Sequence, residues 1–427
     1  MLRSRLILTL SLRHFFNREK KGSHHLRGAA IGIGIAVIPV IIVLIAGNGL
    51  VEGITRRYQE LSSGQIQIRG VRDPEEMEDF IASAAELDGI KYIGEFYEQY
   101  GLLSDASGNA GAVIRGLPSD VYSRDEGFRS FLSITGGVFS LEHEKDLMVS
   151  RHLAEQLNIS PGDEVRLIIS RKFGRRTLYR PTKFVVSGIF STGYYELDTS
   201  TVYVSSDKVR KLFGNDTPGY ISIKTAPESV QEIISELTGI IGDRGTIMPW
   251  YAVNNSMYEN FSSTKSSLMI IMLLIVAIAG LSVSSSVYML VMEQREEIAF
   301  LKAVGLNNSM ISRVFLVSGG LTGFIGGGLG IFFGLMIGIQ INPVLRGLET
   351  AINYVLKTVR YMTAMEYNGT DISIVGGDFY LDQIPVIIHY REILLVFAVG
   401  ISVSIAGALI PSIKASRIPP IDLISKK

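Results

Sequence analysis

Hydrophobic residues are concentrated in four long runs that contain no Asp, Glu, Lys or Arg. The runs are Gly28–Val51, Ser266–Met292, Val314–Leu345 and Ile393–Ile413. A helix needs about 20 mostly apolar residues to cross a bilayer, whereas apolar runs of about 10–14 residues are typical of buried helices in soluble proteins. The pattern therefore predicts four transmembrane helices. We expect the first to be a retained helix, because its apolar core is too long for a cleaved signal peptide.

Basic residues beside the first and last runs predict how the helices are oriented. The basic residues are Arg3, Arg5, Arg13, Arg18, Lys20, Lys21 and Arg27 before the first run, and Lys414, Arg417, Lys426 and Lys427 after the fourth. Because positively charged flanks stay on the cytoplasmic side, residues 1–27 and 414–427 are both expected in the cytoplasm. Residues 52–265 and 346–392 are then outside, and residues 293–313 are inside.

The segment between the first two runs has the pattern of an α+β domain. Short β-rich or alternating stretches predict strands, and amphipathic stretches predict helices. The predicted strands are Gln65–Arg69, Val165–Ser170, Phe184–Ile189 and Thr201–Val204, and the predicted helices are Glu75–Leu87 and Ser229–Ile241. The fold class is thus an α-helical membrane protein with four transmembrane helices and an extracytoplasmic α+β domain, residues 52–265, which is large enough for its own core.

A strongly basic stretch, Ser170–Lys183, joins two of these predicted strands. It is either the solvated tip of a hairpin or a projecting arm that contacts a partner. On the second interpretation the contacting residues are Arg171, Lys172, Phe173, Arg175, Arg176, Tyr179 and Arg180.

The short loop between the second and third runs, Glu293–Arg313, predicts one helix. Acidic residues suit its N-terminus, and Gly305 is expected to end it. Ile298, Leu301 and Val304 are predicted to share an apolar edge. The loop is either a plain connection or a coupling helix that docks on a cytoplasmic partner, in which case the candidate contacts are Glu293, Arg295, Glu296, Glu297, Ile298, Leu301, Lys302 and Gly305.

The third run carries glycine at every fourth position: Gly326, Gly330, Gly334 and Gly338. Residues four apart share one face of a helix, and glycine lets another helix backbone approach closely. We predict a packing face, with packing inside this subunit favoured over a subunit interface.

Composition and motifs exclude several kinds of function. The chain has 41 basic and 41 acidic residues and no cysteine, so nothing indicates a nucleic-acid partner, a disulfide or a thiolate site. It contains neither a P-loop nor the His-Glu-x-x-His and Gly-x-Ser-x-Gly motifs, and no catalytic or metal-binding residues are predicted. Ion-coupled transporters need ionised residues at membrane depth, and the four runs have none.

Seven segments, in order along the chain, resemble one family. They are Leu44–Gly53, Ala112–Pro118, Leu147–Arg166, Phe190–Asp198, Val291–Gly305, Leu381–Val386 and Pro411–Ile421. Together they resemble ABC transporter permeases of the MacB/FtsX-like superfamily, above all the lipoprotein-releasing (LolC/LolE-type) transmembrane subunits.

The resemblance implies mechanical work rather than catalysis. Two permease subunits, identical or different, pair with two copies of a separate ATPase, which binds the ATP, so that this chain needs no cofactor. The complex extracts lipoproteins from the outer leaflet of the bacterial inner membrane and passes them to a periplasmic chaperone. By position, Glu293–Gly305 contacts the ATPase. Ser170–Lys183 falls where one family member has a chaperone-binding hook, but here it is basic rather than rich in proline and glycine.

Three alternatives remain. A division-type permease that signals to cell-wall hydrolases usually has a much smaller external domain than residues 52–265. A peptide or macrolide efflux permease commonly carries a fused ATPase and lacks a loop like Leu381–Val386. A membrane-anchored enzyme or sensor would need a convergent catalytic set, which the motifs do not provide.

Overall fold

The computed structural model describes residues 9–12, 15, 22–71, 74–173, 176–214, 217–363 and 381–417. The chain forms two compact units. The first, here the helical unit, consists of Met1–Gly49, Phe261–Val344 and Pro385–Lys427. The second, here the sheet unit, consists of Leu50–Asn260 and Leu345–Ile384.

The helices and strands are numbered in chain order. They are α1 (Gly22–Tyr58), which continues into a π-helical turn (Gln59–Ser63), β1 (Ile66–Arg69), α2 (Pro74–Ala84), β2 (Ile90–Asp105), β3 (Gly108–Leu117), α3 (Val121–Arg124), α4 (Glu126–Phe131), β4 (Ser133–Gly137), β5 (Asp146–Ser150), α5 (Arg151–Leu157), β6 (Glu164–Phe173), β7 (Arg176–Ser191), α6 (Tyr195–Asp198), β8 (Thr201–Ser205), α7 (Ser206–Phe213), β9 (Gly219–Thr225), α8 (Val230–Ile241), β10 (Thr246–Pro249), α9 (Trp250–Val253), α10 (Asn255–Glu293), α11 (Arg295–Ala303), α12 (Asn308–Ile339), α13 (Ile341–Thr363) and α14 (Tyr390–Ser416).

Four helices of the described residues are long and apolar enough to cross a membrane: His24–Ser63, Asn255–Glu293, Asn308–Ile339 and Tyr390–Ser416. They contain the first, second and fourth predicted apolar runs, and the α+β segment lies between the first and the second, as predicted. The third run, Val314–Leu345, extends beyond the end of its helix at Ile339 and into α13. The helical unit is held together by apolar side chains from all four helices, among them Val37, Val283, Phe315 and Ala408. Much of the basic N-terminal flank and the last ten residues of the tail lie outside the described residues.

Six strands of the sheet unit close into a ring. The pairing runs β2–β3–β8–β5–β7–β6 and returns from β6 to β2. The β3–β8 and β5–β7 pairs are parallel and the other four are antiparallel. Alternate residues such as Val165, Leu167 and Ile169 of β6 are fully buried in the core of this barrel, because side chains of a strand point to opposite faces in turn.

The long strand β2 also belongs to a smaller open sheet. Its first half pairs with β9, and β9 continues through β1 to β10. The helices α2 and α8 cover this sheet with an apolar core that includes Phe80, Ile223 and Leu237. The structure therefore confirms the predicted strands of β1, β6, β7 and β8 and the predicted helices α2 and α8.

Residues 346–392, interpreted from the sequence as an external loop, contain most of the helix α13. It was missed because its apolar residues recur every three or four positions and are separated by charged ones, so that they form no uninterrupted run. Residues 345–384 belong to the sheet unit rather than to the helical unit.

Candidate functional site

The short helix α11 lies between α10 and α12, where the sequence predicted a coupling helix. Glu296 and Glu297 occupy its first turn, where carboxylates complement the partial positive charge of the helix N-terminus. Gly305 follows the helix with φ +98°, a conformation that side chains with a Cβ rarely adopt. The chain then turns, and α12 begins at Asn308.

One face of α11 is buried, which corrects part of the prediction. Ile298 is only 2% exposed and packs into the core of the helical unit, so its side chain is not available to a partner protein. The Nζ of Lys302 donates a hydrogen bond to the backbone oxygen of Ser416 in α14 (2.7 Å). Leu301 and Glu297 are half-buried.

Two large apolar side chains are exposed at α11: Phe300, which was not among the predicted contacts, and Val304, which was predicted to share an edge with Ile298. Phe300 is 68% exposed and Val304 is 66% exposed. They are four residues apart and therefore neighbours on the helix surface, whereas Val304 does not share an edge with buried Ile298. Arg295, Glu296 and Gly305 are exposed beside them. Four consecutive apolar residues, from Ile298 to Leu301, surround the helix, so that spacing alone could not show which side faces outwards.

Glu293 links two membrane helices. Its Oε1 lies 3.1 Å from Nε2 of His25, near the start of α1. Both side chains are partly exposed, so the contact joins the ends of α1 and α10 at the level of α11. Glu293 therefore has a contact within this chain, in addition to its predicted role at a partner surface.

The four glycines of α12 are buried against α1 of the same chain. A Cβ on Gly330 would lie 2.7 Å from Cβ of Val37, and one on Gly334 would lie 2.8 Å from Cβ of Ile41. Such distances are too short for carbon atoms, so the two backbones approach because these positions have no side chain. On another face of α12, Gly319 and Gly323 lie against Ala408 and Ser404 of α14.

A polar cluster joins three helices in the helical unit. Glu392, in the first turn of α14, accepts a hydrogen bond from Nδ2 of Asn48 (2.6 Å) and pairs with Nζ of Lys265 (2.6 Å). Next to the cluster is a cavity of about 150 Å³. Its lining is apolar except for Glu392 and includes Leu44, Met272 and Val399.

A buried ionic cluster fixes the end of α1 inside the sheet unit. Lys224 of β9 is 2% exposed and Asp125 is 3% exposed, and the two form an ion pair. Nζ of Lys224 also lies 3.2 Å from Oε2 of Glu60 in the π-helical turn and donates to the backbone oxygen of Glu60. Asp125 in turn accepts from the backbone N–H of Phe128 (3.0 Å) and caps α4. Here Lys224, Asp125 and Glu60 are called the Lys224 cluster.

A second contact of α1 joins two of the segments that carried the family resemblance. Nε of Arg57 donates to the backbone oxygen of Thr192 (3.0 Å). Buried Asp198 accepts from Ser191 Oγ and from the backbone N–H of Thr192, both at 2.7 Å. The backbone N–H of Asp382 donates to Gly193 O (3.2 Å), and Tyr194 and Leu381 form an antiparallel bridge. Phe190–Asp198 and the start of Leu381–Val386 thus meet beside α1.

The basic stretch Ser170–Lys183 includes the last residues of β6 and the first residues of β7. The two strands pair from Glu164 and Val185 to Phe173 and Arg176. Within the described strands, β6 pairs with β2 only as far as Ile169, so the remainder pairs only with β7. Among the candidate contacts, Arg171, Lys172, Phe173, Arg176 and Tyr179 lie on these paired strands, Arg180 is exposed, and Arg175 lies outside the described residues.

Two family models match the chain. The MacB-like periplasmic core domain matches residues 28–240, and the FtsX-like permease C-terminal domain matches residues 269–420. The chain therefore belongs to the FtsX-like permeases that carry a MacB-like periplasmic core domain. Among the described residues, no group of three or more His, Asp or Glu side chains is placed to hold a metal ion.

Three curated relatives are similar to the chain over almost their whole length. The lipoprotein-releasing system transmembrane protein LolC of Xylella fastidiosa is 22% identical over 426 residues, which is 98% of each chain. LolC of Neisseria meningitidis is 25% identical over 92% of each chain. The lipoprotein-releasing system transmembrane protein LolE of Haemophilus influenzae is 20% identical over 93% of each chain.

Proposed function

We propose that this chain is a permease subunit of an ABC transporter that extracts lipoproteins from the outer leaflet of the bacterial inner membrane and passes them to a periplasmic chaperone. The observation that carries the proposal is the similarity to LolC and LolE relatives over nearly the full chain. ATP would be bound and hydrolysed by a separate ATPase, present in two copies, and a second permease subunit would complete the complex.

The proposed orientation has both termini in the cytoplasm and the sheet unit in the periplasm. It rests on the basic residues that flank the first and fourth helices, because such flanks stay on the cytoplasmic side. The helix α11 is then cytoplasmic, with Phe300 and Val304 exposed towards the ATPase. The polar cluster of Glu392, Lys265 and Asn48 is then on the periplasmic side of the helical unit.

The apolar cavity beside this cluster supports a lipid cargo. Apolar cavities of about 150 Å³ admit molecules of the size of benzene, which is room for a short part of an acyl chain. Moving an acyl chain out of a bilayer costs about 0.8 kcal/mol for each buried methylene group. An acylated cargo therefore needs an external energy source, which the partner ATPase would supply.

The work would be transmitted mechanically. Closure of the ATPases would displace α11, which is continuous through one turn with α12. The glycine face of α12 is packed on α1, and α1 runs into the sheet unit, where Arg57 and the Lys224 cluster hold its end. The hairpin β6–β7 is the proposed chaperone contact, through the candidate residues between Arg171 and Arg180.

Depletion of the protein in its native bacterium tests the proposal. We expect outer-membrane lipoproteins to accumulate in the inner-membrane fraction, and we expect the wild-type gene supplied in trans to restore their sorting. The matched control is depletion of an unrelated inner-membrane protein. A block in cell division with normal lipoprotein sorting would instead identify a division-type permease and overturn the proposal.

A further inference from the structure

The helix α13 has one apolar face, and most of that face does not pack against the part of the chain that the structure describes. Leu348, Ile352 and Val355 recur at intervals of four and three residues and so form a stripe along one side of the helix. Leu348 is 50% exposed, Val355 is 58% exposed and Ile352 is 39% exposed. Met362 lies seven residues, or about two turns, after Val355 on the same side of the helix, and it is 80% exposed. A soluble helix would bury such a stripe in the core of its own unit.

The opposite face of the same helix is polar. Arg346, Thr350 and Lys357 lie there and are exposed. Successive residues of a helix are about 100° apart, which places Thr350 about 200° from Ile352. A clear division into an apolar face and a polar face with basic residues is typical of helices that lie in the plane of a membrane–water interface.

The position of α13 in the chain brings its first turn to a membrane surface. The apolar helix α12 ends at Ile339, and α13 begins at Ile341 after a single residue, Gln340. The fourth apolar helix begins at Tyr390. A segment between two adjacent spans is tied to one side of the bilayer at both ends.

We propose that α13 is an interfacial helix, whose Leu348–Ile352–Val355 stripe inserts at the boundary between the headgroups and the acyl chains of membrane phospholipids. Apolar faces of such helices are buried about 5–10 Å deep at that boundary. Basic residues on the polar face remain among the headgroups and extend their charged ends towards water.

A second copy of the chain fits this face less well. Stable protein interfaces bury about 1,200–2,000 Å² in total, and a stripe of four side chains along one helix is small for that purpose. The bilayer is already in contact with the neighbouring span and needs no additional apolar surface around the stripe.

Site-directed spin labelling tests the proposal, and the absence of cysteine from the chain makes each label unique. Ile352→Cys and Thr350→Cys are made in the full-length chain, labelled with a nitroxide and reconstituted into nanodiscs of phosphatidylethanolamine and phosphatidylglycerol. The two sites are about 3 Å apart along the helix axis but on opposite faces. Collisions of the label with oxygen, which enters lipid, are compared with collisions with a water-soluble nickel complex.

We expect the ratio of oxygen to nickel collisions to be several-fold higher at position 352 than at position 350. Val355→Cys and Lys357→Cys repeat the comparison one turn further along and guard against a local disturbance by either label. Equal ratios on the two faces, or a label at 352 that is more accessible to nickel, would overturn the proposal. So would dipolar broadening at 352 that disappears when labelled chains are diluted with unlabelled ones, because that result places a second copy on the stripe. The assay contains no ATPase and no lipoprotein, so its outcome is independent of the proposed transport function.

Discussion

The helix α11 and the Lys224 cluster both hold the ends of membrane helices, but they are built in opposite ways. At α11 two large apolar side chains, Phe300 and Val304, face outwards, and the polar contacts of Lys302 and of Glu293 beside the helix are only partly buried. In the Lys224 cluster the charged side chains face inwards, and aromatic rings of Tyr92 and Phe128 lie 5.8 and 5.7 Å from Nζ of Lys224.

The difference shows that exposed apolar residues suit recognition of a partner, whereas buried charges suit fixing a helix end in one position. An exposed apolar pair is suited to recognition, because a partner gains free energy by covering it. A buried ion pair adds little net stability relative to apolar residues, but removing one partner is costly because a charge is then left buried alone. The cluster therefore fixes one position of the helix end, whereas α11 leaves a surface open for a partner.

The largest expected effect is that of Lys224→Met on stability. The substitution leaves the carboxylates of Asp125 and Glu60 without their cation, and we expect a loss of about 3–5 kcal/mol in the free energy of unfolding. Trp250 is the only tryptophan of the chain and is buried in the sheet unit. Its fluorescence therefore measures the unfolding of that unit by denaturant in the full-length protein.

Lys183→Met is the matched control for Lys224→Met. It removes the cation of an ion pair with Glu164 (3.0 Å) in the same unit, but both side chains are at least 65% exposed. Exposed pairs contribute little to stability, so the shift in the midpoint should be far smaller. Equal shifts for the two variants would contradict the assigned difference between the buried and the exposed pair.

An intermediate effect is expected for Phe300→Asp, on binding rather than on stability. Central apolar contacts of an interface commonly contribute about 2–4 kcal/mol, so the affinity for the partner ATPase should fall roughly thirtyfold or more. Titration of the purified permease with the ATPase measures this change. Ser309→Asp, an exposed site just beyond the turn, introduces the same charge and should leave the affinity unchanged. An unaltered affinity of the Phe300 variant would show that the ATPase binds elsewhere.

The smallest expected effect concerns pH. The hydrogen bond from Lys183 lowers the pKa of the Glu164 carboxyl group in the folded protein. A carboxyl whose pKa is lowered by folding stabilises the protein above its unfolded pKa, and this contribution is lost as the pH falls through the folded pKa. The small difference in unfolding midpoint between the wild type and Lys183→Met should therefore disappear in acid. A difference that grows as the pH falls would be inconsistent with this pair.

The helical unit and the position of α11 could be predicted because each leaves a local pattern. Apolar runs show the spans, and Gly305 shows where the short helix ends. The exposed side of α11 could not be predicted, because apolar residues from Ile298 to Leu301 point in all directions. The closed barrel was also beyond reach, since the pairing of β6 with β2 joins residues more than 60 positions apart, and no local signal specifies it.

The Lys224 cluster was concealed by an ordinary strand pattern. In β9 the polar residues Ser222 and Lys224 alternate with Ile221 and Ile223, which indicates a strand with one face in water. In the structure both faces are covered, since every residue from Tyr220 to Thr225 is buried. The face of β9 that carries Lys224 is covered in part by the π-helical turn after α1, which is distant from β9 in the sequence. The signal that could have indicated a buried ion pair is Lys224 itself, a lysine within a strand of mostly aliphatic residues.

The glycine face of α12 also limits how the membrane helices can move. Gly326, Gly330 and Gly334 each lie against two residues of α1, Gly338 lies against Ile45, and the contacts repeat every four residues along both helices. Sliding α12 along α1 by one or two residues would bring larger side chains into gaps that admit none, and the next matching register is about 6 Å away. Sliding of α12 along α1 by less than about 6 Å is therefore sterically blocked. A push on the α11 end of α12 is therefore passed to the packed part of α1, between Ala30 and Ile45.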